Sequence, residues 1–140
     1  MNDKELPNGR ELDALVAQEI MGITVLMGAD IPGWGTPGFI QQPDPREYYF
    51  SNADVQENQP VPHYSTNDAQ AMKVAERMIE LGFEFALIND LQMEPRQYAA
   101  EFSKSDGNIG ETTYIWGQRA PMLSLAICRA ALVAYSREGS

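Results

Sequence analysis

The sequence predicts an α+β protein in which a small, mostly antiparallel sheet is covered by three helices. Three segments of the chain repeat apolar residues at helical spacing. Between the second and third of these lie three strand candidates, and the short turns that separate them favour antiparallel pairing. The chain has 140 residues, of which 44% are hydrophobic. This size and composition predict a single domain, residues 1–140, with a packed core.

The first helix is predicted to begin after Asn8, whose side chain can cap it, while Glu11 can complete a capping box. Glu19 lies near the middle of the apolar stripe of this helix. It is either solvated at the edge of the stripe or a partly buried carboxylate paired with an arginine such as Arg119 or Arg129. The stripe consists of Leu12, Leu15, Val16 and Ile20.

The second helix has the clearest start signal in the chain, the segment YSTND at residues 64–68. Ser65 is predicted to cap the helix, and Asp68 to complete a capping box. The helix is predicted to run to Leu81 and to end at Gly82. The residues on its apolar side are Ala71, Val74, Ala75, Met78 and Leu81.

The third helix, Pro121–Ser136, is apolar nearly all the way round. One of its stripes is sufficient to close a core, and the opposite face is apolar as well. A second apolar face must be covered either by further layers of the same chain or by another subunit. We therefore predict a homo-oligomer whose interface includes Leu125, Arg129 and Leu132. The core stripe is formed by Leu123, Ala126, Ile127, Ala130 and Ala134.

The strand candidates lie in two regions. Ile23–Met27 precedes an insertion rich in proline and glycine, Gly28–Pro62, in which only Glu47–Phe50 has the pattern of a strand. The insertion is predicted either to cover the core or to form a lid over a pocket. Its aromatic anchors are Trp34, Phe39, Tyr48, Tyr49 and Phe50. The later strand candidates are Phe83–Ile88, a strand with Tyr98, Ala100 and Phe102 on one face, and Thr112–Trp116.

The charge balance is strongly acidic, with 10 Lys and Arg against 20 Asp and Glu, a formal net charge of −10. Such a chain repels phosphate backbones and anionic membrane surfaces at long range, so we predict no binding to nucleic-acid duplexes and none to membranes. No apolar run approaches the ~18 residues of a membrane span. A small anionic ligand remains compatible with the sequence, because a pocket needs only one or two arginines.

The chain offers little for catalysis. Cys128 is its only cysteine and His63 its only histidine, and they lie in different segments. Cys128 is predicted to be a buried small hydrophobe, the alternative being a thiolate nucleophile that would need a base. A single cysteine excludes an intrachain disulfide and fits a reducing compartment. We predict no metal site, no cofactor and no enzymatic activity.

Three residues are predicted to form a ligand pocket, if there is one. Tyr114 and Trp116 share one strand face and offer a surface on which a base can stack. Arg119 follows shortly before the predicted helix start at Pro121, where free backbone N–H groups favour an anion. The alternative is that both aromatic residues are simply part of the core.

Three blocks of the sequence, residues 9–17, 64–68 and 126–132, resemble in this order the phage ABA sandwich domain family. The resemblance spans nearly the whole chain. It implies an α/β/α sandwich and a phage origin, and it brings no catalytic motif. The chain departs from the family in its longer segment Gly28–Pro62, and Tyr98 stands where a strand often starts with Trp.

Some small phage proteins antagonise bacterial defence by sequestering nucleotide signals between subunits. By analogy, we expect a non-enzymatic phage accessory protein of the host bacterial cytoplasm that binds a cyclic nucleotide or ADP-ribose-type ligand. The alternative is an interaction protein that binds a host or phage protein through an acidic or apolar surface, with no small ligand.

Overall fold

A computed structural model describes residues 9–31, 44–52, 57–90, 97–105 and 113–138 of the chain. These ranges form three α-helices and two three-stranded antiparallel sheets, which confirms the predicted α+β class. The helices and strands are α1 Gly9–Glu19, β1 Val25–Met27, β2 Tyr48–Asn52, β3 Glu57–Pro60, α2 Asp68–Glu80, β4 Glu84–Asp90, β5 Gln97–Ser105, β6 Thr113–Ala120 and α3 Leu123–Glu138.

Helix α3 lies at the centre of the molecule and is covered on both faces. It packs against β5 and β6 on one face and against α1 and α2 elsewhere. Leu132 is only 1% exposed, and Leu125 packs partly buried against the core. Layers of the same chain therefore cover the second apolar face. Leu132 has almost no surface to offer another subunit, and a contact through Leu125 and Arg129, which are partly exposed, stays a prediction.

The sheet β4-β5-β6 packs one of its faces on the helices. Phe102 is fully buried there, stacks on Phe85 at 4.9 Å between ring centroids, and meets the edge of Phe83. Ala100, two residues before Phe102, is also fully buried on this face. We call this face, which packs on the helices, the inner sheet face. Because successive strand residues alternate between faces, the same register fixes which residues form the opposite side.

The sheet β1-β2-β3 is built mainly from the insertion. Strands β1 and β2 occupy two of the predicted strand segments, whereas β3 was not predicted. Gly28 lies against the backbone of Asp44. A glycine is needed at this position, because a Cβ would overlap that backbone. Tyr48 and Phe50 pack against the core, as expected of anchors. Trp34 and Phe39 lie outside the described residues.

The helix ends differ in part from the predictions. The N-cap of α2 is Asn67, whose Oδ1 accepts a hydrogen bond from the Gln70 backbone N–H at 3.0 Å. The prediction that Ser65 caps this helix is wrong, because Ser65 is buried in a polar network. Helix α2 ends at Glu80 with Leu81 as its C-cap, one residue before the predicted end, and Gly82 follows with φ +100°. Glu19 is exposed, which favours its solvated alternative.

A buried polar network joins α1 to the starts of α2 and α3. Asp13, which is 1% exposed, accepts a hydrogen bond from the Ser65 backbone N–H at 2.7 Å and forms an ion pair with Arg10 at 2.8 Å. Ser124 Oγ donates to the Ser65 carbonyl oxygen at 2.9 Å. Both carboxylate oxygens of Asp13 are thus satisfied, as a buried charge requires.

The Arg10 guanidinium extends this network into the insertion. Its Nη2 donates to the Val61 carbonyl oxygen at 2.6 Å, and its Nε donates to Glu47 Oε1 at 2.9 Å. The same carboxylate oxygen of Glu47 accepts the backbone N–H of Tyr48 at the start of β2. One side chain on α1 therefore holds both ends of the β2–β3 hairpin against the helices.

Breaking the buried pair should cost far more stability than breaking an exposed pair of the same spacing. Asp13→Ala leaves the Ser65 N–H without its acceptor and should lower the free energy of unfolding by about 3 kcal/mol. The matched control is Glu80→Ala, which removes the exposed Arg77–Glu80 pair and should cost less than about 1 kcal/mol. Urea denaturation measures both, and equal losses would contradict the assignment.

Candidate functional site

The side of the β4-β5-β6 sheet that faces away from the helices is the candidate site. We call it the outer sheet face. Its exposed residues include Ile115, whose exposed fraction of 62% is the highest among the large apolar side chains of the described ranges. The residues whose side chains are described on this face are Glu84, Ala86, Ala99, Glu101, Ser103, Ile115 and Arg119, with Gly117 between the last two.

Two small residues flank Glu101, which occupies the centre of the outer sheet face. The register sets Ala86 opposite Glu101, and Glu101 opposite Gly117. A Cβ on Gly117 would lie 3.2 Å from Cγ of Glu101, so the Glu101 side chain lies across the glycine. Ala99, opposite Arg119, is 6% exposed. Ala99 is therefore covered by its neighbours, and the small residues that stay exposed on this face are Ala86 and Gly117.

Charges of opposite sign stand at opposite corners of this face. Glu84 is at the start of edge strand β4, and Arg119 is near the end of edge strand β6. Strand spacing and rise separate these corners by about 16 Å within one chain. Ile115 stands at a third corner, and Glu101 is a diagonal neighbour of Arg119. The face thus combines an apolar anchor with both signs of charge.

The three residues predicted to bind a ligand fall on two sides of the sheet. Trp116 pairs with Phe102, so positions 116 and 114 belong to the inner sheet face, whereas position 119 belongs to the outer sheet face. The prediction placed Arg119 next to the helix start, but β6 continues to Ala120 and α3 begins at Leu123. Arg119 is exposed. Ligand binding by Tyr114, Trp116 and Arg119 together stays a prediction.

Two buried groups near Asp13 are held in their protonated forms. Burial raises the pKa of the Cys128 thiol far above its ordinary value, and the negative charge of Asp13 raises it further. Burial also raises the pKa of Tyr64, with smaller contributions from Cys128 and Asp13. A neutral thiol with no exposed surface is a poor nucleophile. His63 is exposed on the turn before α2.

The outer sheet face was missed by the sequence analysis, although part of its signal was present. Alternation had already set Glu84 and Ala86 apart from the apolar residues of their strand, and likewise Glu101 in the next strand. The missing step was the continuation of β6 through Gly117 to Ala120, because the predicted strand ended at Trp116. Within the described ranges, no group of three or more His, Cys, Asp or Glu side chains is arranged to hold a metal ion.

Comparison with known proteins gives one match. The family model described as the phage ABA sandwich domain matches residues 14–132. No curated protein and no solved structure matches the chain. None of the helices in the part of the chain that the structure describes has the length and apolarity needed to cross a membrane.

The burial of Cys128 should make it unreactive in the folded protein. If modification requires an opening that costs more than about 3 kcal/mol, iodoacetamide should react with it at least about 100-fold more slowly in buffer than in urea. Ala69→Cys, on the exposed side of α2, supplies a matched thiol that should react with iodoacetamide in buffer about as fast as in urea. Mass spectrometry counts the adducts, and rapid native modification of Cys128 would contradict its placement.

Proposed function

The chain belongs to the phage ABA sandwich domain family and is a protein of phage origin, and we propose that it works by binding another protein without catalysis. The outer sheet face is the binding surface in this proposal. The observation that carries it is the exposure of Ile115, at 62%, on a sheet face where Ala86 and Gly117 are exposed as well. Burying such a side chain contributes about 1.5–3 kcal/mol to an association. The proposed place of action is the cytoplasm of the host bacterium.

The chemistry of the described polar groups supports a binding role over a catalytic one. The Cys128 thiol is buried and its pKa is raised, so it is protonated at neutral pH. Asp13 has both carboxylate oxygens engaged, one by Arg10 and one by the Ser65 N–H. These groups stabilise the fold and are withheld from any substrate, whereas the outer sheet face is open to a partner.

A second candidate function is the sequestration of a small nucleotide signal, by which a phage protein would antagonise bacterial defence. It is favoured by one observation, the exposed Arg119 on a sheet face of a chain with net charge −10. A guanidinium can form charge-assisted, bidentate hydrogen bonds with a phosphate group. The candidate ligands are cyclic nucleotides and ADP-ribose-type molecules.

Photo-crosslinking in infected cells tests the protein-binding proposal. Ile115→p-benzoylphenylalanine places a short-range crosslinker on the outer sheet face, and Ile79→p-benzoylphenylalanine places one on α2 at a comparable exposure of 52%. We expect a discrete protein adduct from position 115 and none from position 79. Adducts from neither position, or the same adducts from both, would refute this role for the outer sheet face.

Calorimetry tests nucleotide sequestration. The wild type is titrated with cyclic di- and trinucleotides and with cyclic ADP-ribose isomers. If Arg119 holds the phosphate, Arg119→Ala should weaken binding about 10- to 150-fold, since a charge-assisted hydrogen bond contributes about 1.5–3 kcal/mol. Arg46→Ala, also exposed, is the control and should bind normally. No heat with the wild type rejects this function, and normal binding by Arg119→Ala rejects the site.

A further inference from the structure

We propose that the protein bound by the outer sheet face is a second copy of this chain, an inference that rests on the proposed function. The face is complementary to itself. Its acidic corner, Glu84, and its basic corner, Arg119, lie at the two ends of one diagonal, and the exposed Ile115 lies off that diagonal. An isologous contact needs such a patch, in which a residue and its counterpart change places under a two-fold axis.

The geometry of the pairing follows from the strand register. A two-fold axis lies in the plane between the two sheets, perpendicular to the diagonal that joins Glu84 and Arg119. It sets Glu84 of each copy over Arg119 of the other, so two ion pairs form. From the strand spacings, it also brings the two Ile115 positions to within roughly 6 Å in projection. The strands of the two sheets then cross at a steep angle, one of the two usual modes of sheet packing.

Two exposed small residues, Ala86 and Gly117, lie between the charged corners on either side of Glu101. Glu101 lies near the axis and therefore close to Glu101 of the second copy. Two carboxylates at the axis repel one another, while each has Arg119 as a diagonal neighbour in its own chain. Glu84 and Glu101 should thus have opposite effects on the association.

The size of the face sets the expected strength. Three strands span roughly 10 Å by 20 Å, which is less than the ~800 Å² per partner of a typical stable complex. The dimer should therefore be weak and depend on concentration. Because the face carries both charge signs, the two Glu84–Arg119 pairs offset part of the repulsion between two copies of a chain with net charge −10.

Sedimentation equilibrium with a charge exchange tests the inference. The wild type is measured from about 5 µM to about 500 µM, a range suited to weak interfaces. Arg119→Glu alone and Glu84→Arg alone should each weaken dimerisation by at least about 10-fold, and the double variant should recover it. The control double variant, Arg119→Glu with Glu80→Arg on α2, should not recover it. Circular dichroism verifies that each variant is folded.

Two further variants sharpen the test. Ile115→Asp should abolish the dimer, and Glu101→Gln should strengthen it several-fold, because it removes the repulsion at the axis. A wild type that is monomeric throughout the concentration range, or a charge exchange without recovery, overturns the inference. The crosslinker at position 115 separates the two proposals. If it captures a different protein while the purified chain is monomeric, self-association is refuted and the proposed function stands. No adduct from infected cells, together with a purified chain that is monomeric, refutes both.

Discussion

The ion pair between Arg10 and the buried Asp13 is the interaction on which the rest of the structure depends, since it joins α1 to three other segments of the chain. Asp13 holds the turn before α2 through the Ser65 N–H, and Arg10 holds both the start of β2 and the end of its hairpin. A charge buried to 1% exposure is tolerated only when its partners are all in place. The network therefore makes the positions of α1, α2 and the insertion depend on one another.

The burial of α3 decides where a functional surface can lie. Small side chains along this helix, such as Ala126, Ala130 and Ala134, let α2 on one side and the sheet on the other approach closely. Once both sides are occupied, the apolar side chains of α3 whose burial is described are all buried or half-buried. In the described part of the chain, the helices cover the inner face of the sheet β4-β5-β6, and Ile115 is exposed on its outer face.

The polar groups divide in the same way. Asp13, Ser65 and Ser124 are buried and serve to join helices, while Glu84 and Arg119 stand on the outer sheet face. Cys128 and Tyr64 lie close enough to Asp13 that its charge disfavours their ionisation. Cys128 and Tyr64 thus stay neutral beside the Asp13 carboxylate, whereas Glu84 and Arg119 are exposed to a partner.

Local pattern was sufficient for the α+β class, the three helices and the antiparallel strands, because apolar spacing and cap residues act within a few positions of each other. It was not sufficient for the cap of α2. Asn67 caps this helix, whereas the Ser65 backbone N–H donates to the distant Asp13. Nor could local pattern show that α3 is covered by its own chain. The site depends on where β6 ends. Because the strand continues past Trp116 to Arg119, side-chain alternation places Arg119 on the opposite face from Trp116. Pairing with β5 sets that end, and pairing is a contact between segments that no local pattern contains.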